Sequence, residues 1–167
     1  LDLIVVRHAM AWERDPERWP DDRRRPLRPF GIRRFRAASR GLARLVSHAD
    51  ALWTSPFTRA VETAAILHDE LRWPAPRAVA ALGEGAPPAP VLRAIARARG
   101  VAVLVIVGHA PSLDQLVTLA VTGRQTPAIV SLRKGGVACL HFETAARAGA
   151  GVLEWVATPR LLRALDD

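Results

Sequence analysis

An α/β fold is what this sequence predicts, on three observations. Short apolar runs alternate along the chain with segments of helical period. One run, Val101 to Val107, holds seven apolar residues, mostly β-branched, as suits a strand buried on both faces in a parallel sheet. The residues least suited to a core, Arg7-His8, Arg59 and His109, each stand shortly behind such a run. The carboxyl ends of parallel strands are where open α/β sheets gather ligand chemistry. The expected architecture is a three-layer sandwich, with a mostly parallel central sheet and helices on both faces.

Taken in order, residues 2–6 read as the first strand, built on Leu3-Ile4-Val5-Val6. Residues 11–29 are rich in Pro, Asp and Arg without a sustained period and read as a loop. A helix over about 30–46 follows, because Phe35, Ala38, Leu42 and Leu45 recur at +3, +4 and +3. Residues 50–54 form a short strand. Ser55-Pro56 then opens a second helix, with serine as N-cap and proline at the first helical position, and this helix stops before Pro74. Residues 77–82 read as a strand, 83–90 as a Gly/Pro-rich loop and 90–99 as a short helix. After the long apolar strand, Ser112 and Gln115 fit an S-x-x-Q capping box. Residues 128–132, 137–142 and 152–157 read as later strands, at least two of them antiparallel, and 158–165 as a short terminal helix.

The 167 residues, half of them apolar, suit one domain spanning 1–167 with a real core. No run approaches the ~20 apolar residues of a membrane span. The first apolar run is too short for a secretory signal and lacks a basic leader, although a chain beginning at Leu1 leaves a removed leader open. Cys139 is the one cysteine, in an apolar setting, and so has no partner for an internal disulfide. A buried thiol in a reducing, cytoplasmic compartment is expected. The formal net charge is +8, and with Lys134 the only lysine nearly every cation is an arginine. That charge reflects either a coding bias or an attraction to anionic partners. Nucleic acid competes as such a partner, but the chain has no tyrosine and four phenylalanines to supply stacking platforms. It also carries no zinc-finger or RNP-type string.

Three strand-to-helix junctions hold the chemistry. They are Arg7-His8, the segment Ser55-Pro56-Phe57-Thr58-Arg59-Ala60 with Thr63 one turn on, and Gly108-His109. In a parallel sheet their strand ends share one edge, so the side chains converge. Two arginines and two histidines pack poorly in a core and serve well around a phosphoryl group. Guanidinium forks match phosphate oxygens, an imidazole attacks phosphorus, and a helix opening at Ser55-Pro56 adds free N–H groups.

In this order and spacing, Arg7-His8-Ala9, Ser55-Pro56-Phe57-Thr58-Arg59-Ala60-Val61-Glu62-Thr63 and Val107-Gly108-His109 resemble the histidine phosphatase, or phosphoglycerate-mutase-like, superfamily. That family carries an Arg-His-Gly motif, an S-P-x-x-R-A-x-x-T segment and a late Gly-His. The resemblance runs from residue 2 to about 142 and suits the short branch of SixA-type phosphohistidine phosphatases. It implies that His8 is the nucleophile and forms a phosphohistidine intermediate, which water hydrolyses. It implies that Arg7 and Arg59 bind the equatorial oxygens, that His109 hydrogen-bonds the phosphoryl group, and that no metal or other cofactor takes part. Arg25-Pro26-Leu27, with Gly31 four residues on, resembles the R-P-L-x-x-x-G segment of the same branch, whose arginine also faces phosphate. The competing reading of Arg25 is a solvated charge run shared with Arg23, Arg24 and Arg28. Ala9 replaces the usual glycine, as it often does in the short branch. An alanine strains that turn only if a positive φ is needed there.

The general acid is the open assignment. Ester-cleaving members use a carboxylate from the middle of the chain, and Glu84, in Gly83-Glu84-Gly85, is the candidate here, against a loop carboxylate with no role. Asp114 either approaches the site from the helix after His109 or serves that helix's positive N-terminus. A phosphohistidine substrate needs less help, because imidazole leaves more readily than an alkoxide. The expected function is a metal-independent phosphatase acting on phosphohistidine of a partner protein. The reason is length: a chain without long insertions has little to roof its pocket, and an open site suits a protein surface. The alternatives are a small-molecule phosphomonoesterase with Glu84 as acid and a non-catalytic phosphate- or nucleic-acid-binding module. His48, His68 and His141 read as loop, packed and outward-facing residues, and none has a partner at metal-ligand spacing. Trp12 and Trp19 either line the pocket mouth or pack.

Overall fold

The computed structural model describes residues 1–166. Its strands are β1 (Asp2–Arg7), β2 (Ala51–Thr54), β3 (Arg77–Ala78), β4 (Val103–Gly108), β5 (Val137–His141) and β6 (Val152–Ala157), and its helices are α1 (Pro29–Leu42), α2 (Thr58–Leu71), α3 (Pro88–Ala96), α4 (Ser112–Thr122) and α5 (Pro159–Ala164). All six strands join one sheet in the order β3-β2-β4-β1-β5-β6. The first four in that order run parallel, and β5 and β6 return antiparallel. Every residue of β4 is buried, because β4 has parallel neighbours on both edges and helices over both faces.

The faces divide by strand parity. Ile4 and Val6 of β1, with Val105 and Val107 of β4, meet Phe35, Ala38 and Leu42 of α1, Ala64 and Leu67 of α2 and Leu162 of α5. Leu3, Val5, Leu104 and Ile106 meet Val91 and Ile95 of α3 and Leu116 and Val117 of α4. This is the alternation that a pleated strand imposes. The sequence-predicted three-layer α/β sandwich is therefore the observed one.

Some element boundaries differ from the expected ones. α1 ends at Leu42, and Leu45 lies beyond it, 44% exposed. α2 begins at Thr58 rather than at Ser55, whose hydroxyl accepts the Phe57 N–H ahead of the helix and also faces His109. α4 has no side-chain cap, so Ser112 and Gln115 form no capping box. Residues 80–82 turn in a short 3₁₀ helix instead of extending β3. Residues 128–132 form no strand: the N–H groups of Ile129 and Leu132 donate to the Thr118 hydroxyl and the Asp114 carboxylate, not to a ladder.

Register positions the site. Arg7 of β1 pairs with Gly108 of β4, and Thr54 of β2 pairs with Val107. The ladder runs one step further, with His8 N–H donating to Gly108 O at 3.0 Å and Ser55 N–H to Val107 O at 2.9 Å. Three strand ends thus deliver Arg7-His8, Ser55 and His109 to one edge. α1 closes on this edge because Gly31 has no side chain; a Cβ there would collide with the Met10 carbonyl oxygen.

Candidate active site

His8 is 6% exposed, and its ring lies 5.2 Å from that of His109, which is 1% exposed. The Nδ1–H of His8 donates to the carbonyl oxygen of Ala9 at 2.7 Å. A carbonyl only accepts, so this bond fixes the tautomer and leaves the lone pair on Nε2. Burial, with Arg59 and Arg7 nearby, lowers the His8 pKa from 6.5 to about 3, although the Ala9 hydrogen bond opposes this. The imidazole is therefore neutral and unprotonated at Nε2 near neutral pH, the state a nucleophile needs.

His109 has the complementary arrangement. Its Nε2 lies 2.8 Å from the Ser55 hydroxyl, which already accepts the Phe57 N–H at 3.3 Å. With the Ser55 proton pointing at Nε2, the neutral ring would carry its own proton on Nδ1. That Nδ1 is buried and has no partner among the described residues. Burial, then the neighbouring His8, Arg59 and Arg7, holds the His109 pKa down at about 3. A buried donor without an acceptor is costly to maintain, and a phosphoryl oxygen satisfies it.

Arg59 is fully buried on the first turn of α2. Its guanidinium donates to the main-chain oxygen of Asp22 at 2.9 Å and to the Glu84 carboxylate, and lies 3.3 Å from the Asp22 carboxylate. Thr63 joins the first two motifs: its hydroxyl accepts the Ala9 N–H at 3.0 Å and donates to Arg59 O at 2.6 Å. Arg25 is buried as well, so the solvated-charge reading is incorrect for it. It donates to Asp22 at 2.8 Å and to Trp12 O at 2.6 Å, and so reaches Arg59 through the shared Asp22. That contact holds the Asp22 carboxyl below its usual range. Arg7 donates to Leu132 O at 2.6 Å, while the N–H of Leu132 donates to Asp114. Asp114 therefore secures the loop that holds Arg7, and burial pushes its carboxyl up.

The expected residues Arg7, His8, Arg59 and His109 meet at one edge, and Arg25 and Glu84 join them through Arg59 and Asp22. Glu84 lies between two guanidinium groups, Arg59 and, at 3.5 Å, Arg14. Ala9 has no positive φ, so its turn is unstrained. The pocket is less open than so short a chain suggested, because the loop over 11–28 and Glu84 cover Arg59. A cavity of about 290 Å³ lined by Arg14, Trp19, Asp22, Phe57 and Glu84 marks its mouth. Trp19 is thus a rim residue, beside Trp12 and under the Arg18 guanidinium. The roles of Asp22 and Ser55 were not legible in the sequence. Asp22 lies in a loop with no period, and Ser55 has an equally good local use as a cap. Among the described residues, no group of three or more His, Cys, Asp or Glu side chains has a metal-binding arrangement.

Residues 3–85 match the family model of the histidine phosphatase superfamily (branch 1). An uncharacterized protein of Picosynechococcus sp. is 31% identical over 139 residues, or 82% of each chain. This chain belongs to the histidine phosphatase superfamily. The matched segment holds Arg7, His8, Arg25, Arg59 and Glu84; His109 lies outside it and reaches the site through β4. Among solved structures, the protein histidine phosphatase SixA complexed with tungstate superposes with a TM-score of 0.82 at 21% identity, over 96% of this chain and 98% of that one. A phosphoserine phosphatase of Entamoeba histolytica superposes at 0.67 with 15% identity, over 96% and 98%. Both likenesses are of fold, so histidine phosphatases of this architecture are not distinguished by substrate on that ground.

Proposed function

We propose that this protein is a phosphatase that transfers a phosphoryl group to Nε2 of His8 and then to water, and that its substrate is phosphohistidine on a partner protein. The reading needs no metal or other cofactor. Arg7, Arg59 and the Nδ1–H of His109 receive the equatorial oxygens, whose charge is what a phosphoryl-transfer site must stabilise. Arg25 supports Arg59 through Asp22. An incoming phosphoryl group takes over from Asp22 and Glu84 as the counterion of Arg59. In the first step the lone pair of His8 Nε2 bonds phosphorus as the P–N bond of the substrate breaks. The electron pair of that bond stays with the substrate imidazole, which leaves neutral because its other nitrogen is protonated. In the second, water attacks phosphorus, the P–N electron pair returns to His8 Nε2, and the water's proton leaves with the inorganic phosphate or to solvent.

The observation that carries the choice of substrate is the state of the two carboxylates at the mouth. Asp22 is engaged by Arg25 and Arg59, and Glu84 by Arg59 and Arg14. Both stand as counterions rather than as free proton donors, which suits an imidazole leaving group. Their closeness to Arg59 also favours a second reading, a phosphomonoesterase in which Glu84 protonates the alkoxide. The buried thiol of Cys139, pushed up to about 11 by burial, agrees with a reducing, cytoplasmic setting.

The test is to incubate the protein with radiolabelled phosphoramidate, quench in alkali and map the label. Alkali-stable, acid-labile label on His8, lost in His8→Ala, is expected. Label on another residue, or none with turnover absent, sinks the mechanism and favours a binding module. Glu84→Gln should leave phosphoramidate turnover within about twofold. A loss of about 100-fold on aryl phosphate, the scale of one general acid, would favour the ester enzyme.

A further inference from the structure

A groove of about 1070 Å³ runs beside the pocket, between the first turns of α1, the loop at 131–134 and α5. Its cations are Arg7, Arg34, Arg133, Lys134, Arg160 and Arg163, and no carboxylate among the described residues lines it. Outside the groove, six arginines, Arg14, Arg23, Arg25, Arg36, Arg40 and Arg59, have carboxylate partners. Among the described residues, none of the six groove cations has one. Arg163 shows the consequence, since burial and then the facing Arg34 and Arg160 push its guanidinium pKa down. Like charges collected in one concavity destabilise the fold unless an anion enters.

The form of the groove says which anion. Its volume is at the upper end for small-molecule sites, and those are mostly apolar with few polar groups. A cationic trough of this size fits a polypeptide segment. Nucleic acid finds little to stack on, because the exposed ring of Phe30 is already flanked by the guanidinium groups of Arg34 at 5.0 Å and Arg28 at 5.5 Å. Arg7 belongs both to the groove and to the catalytic edge, so a segment lying here is continuous with the phosphoryl site.

We propose that this groove docks an acidic, Asp/Glu-rich segment of the phosphorylated protein substrate. The proposal rests on the phosphohistidine-protein reading above. Docking through unpaired cations steers the partner and weakens with salt. Arg133 and Arg160 are exposed and take no part in the chemistry, so they are the positions to change.

The experiment measures binding of a fluorescent deca-glutamate peptide to the full chain, alongside turnover of phosphoramidate. Arg133→Glu with Arg160→Glu should weaken peptide binding about tenfold or more at low salt and leave turnover unchanged. A control with the same charge change away from the groove, Arg93→Glu with Arg124→Glu, should bind like wild type. Equal losses in both double variants would overturn the groove, and so would no binding by wild type. Tighter, groove-dependent binding of a short RNA duplex than of the peptide would overturn the choice of partner. Lost phosphoramidate turnover in wild type with intact, groove-dependent peptide binding would instead sink the phosphatase reading and leave the docking surface standing.

Discussion

The Nδ1–H of His8 bonds the carbonyl of its own neighbour, Ala9, so the reactive nitrogen is chosen by a contact one residue away. A Ser55 hydroxyl donating to Nε2 would make the opposite choice at His109 and leave Nδ1–H free. The two histidines would then carry different tautomers, one a lone pair for phosphorus and the other a donor for its oxygen. Both are neutral near pH 7, because burial and the adjacent guanidinium groups disfavour protonation. Their imidazole proton resonances should therefore stay flat as pH falls from neutral through 6.5. His141, raised by its 2.7 Å bond to Asp2, should titrate above 6.5. An NMR titration checks this, and a His8 midpoint near 6.5 would remove the argument for a preformed nucleophile. Arg25 and Glu84 were both legible as candidates. Asp22 joins Arg25 to Arg59, and Arg59 in turn holds Glu84.

At the scale of elements, the parallel strands β1, β2 and β4 were legible from apolar runs alone, and so were the helices that cover them. Two of the misread boundaries share one cause: a polar group that local sequence assigns to a cap or a ladder is engaged by a distant residue. Ser55 serves His109, and Leu132 serves Asp114 and Arg7. Gly31 is the element-scale counterpart, placed where α1 presses on the Met10 backbone. Gly31→Ala would gain up to ~1 kcal/mol of helix propensity on a free helix. Here the Cβ meets the Met10 carbonyl, so a net loss of about 1–3 kcal/mol is expected, read as a lower denaturant midpoint. A midpoint at or above wild type would show that α1 does not need this approach. Because Met10 follows His8 closely, the same variant should also slow turnover.

For the whole molecule, the site is a burden on the fold. The unfolded chain takes up protons on His8 and His109 below about 6.5, while the folded chain holds both pKa values down at about 3. Between those limits the unfolded state binds more protons, so stability is full above 6.5 and falls as pH drops toward 3. Denaturant midpoints measured across that window should decline, and a His8→Asn, His109→Asn double variant should decline less steeply. Equal slopes would mean that other groups dominate the acid response. The excess of positive charge, +8 over the chain, adds a second strain that the groove beside Arg7 concentrates. Among the described residues, no helix is long and apolar enough to cross a membrane.

The sequence by itself determined the layers, the parallel core of the sheet and the three junctions that carry Arg7, His8, Arg59 and His109, because strand period, apolar runs and short motifs are local properties of the chain. Only the tertiary structure decided what those residues can do. The tautomers of His8 and His109, the counterions of Arg59 and the burial of Arg25 depend on partners many positions away. The unbalanced groove is likewise assembled from α1, the loop at 131–134 and α5. Hydrogen bonds and charge act through space, and the order of residues along a chain does not record which of them meet there.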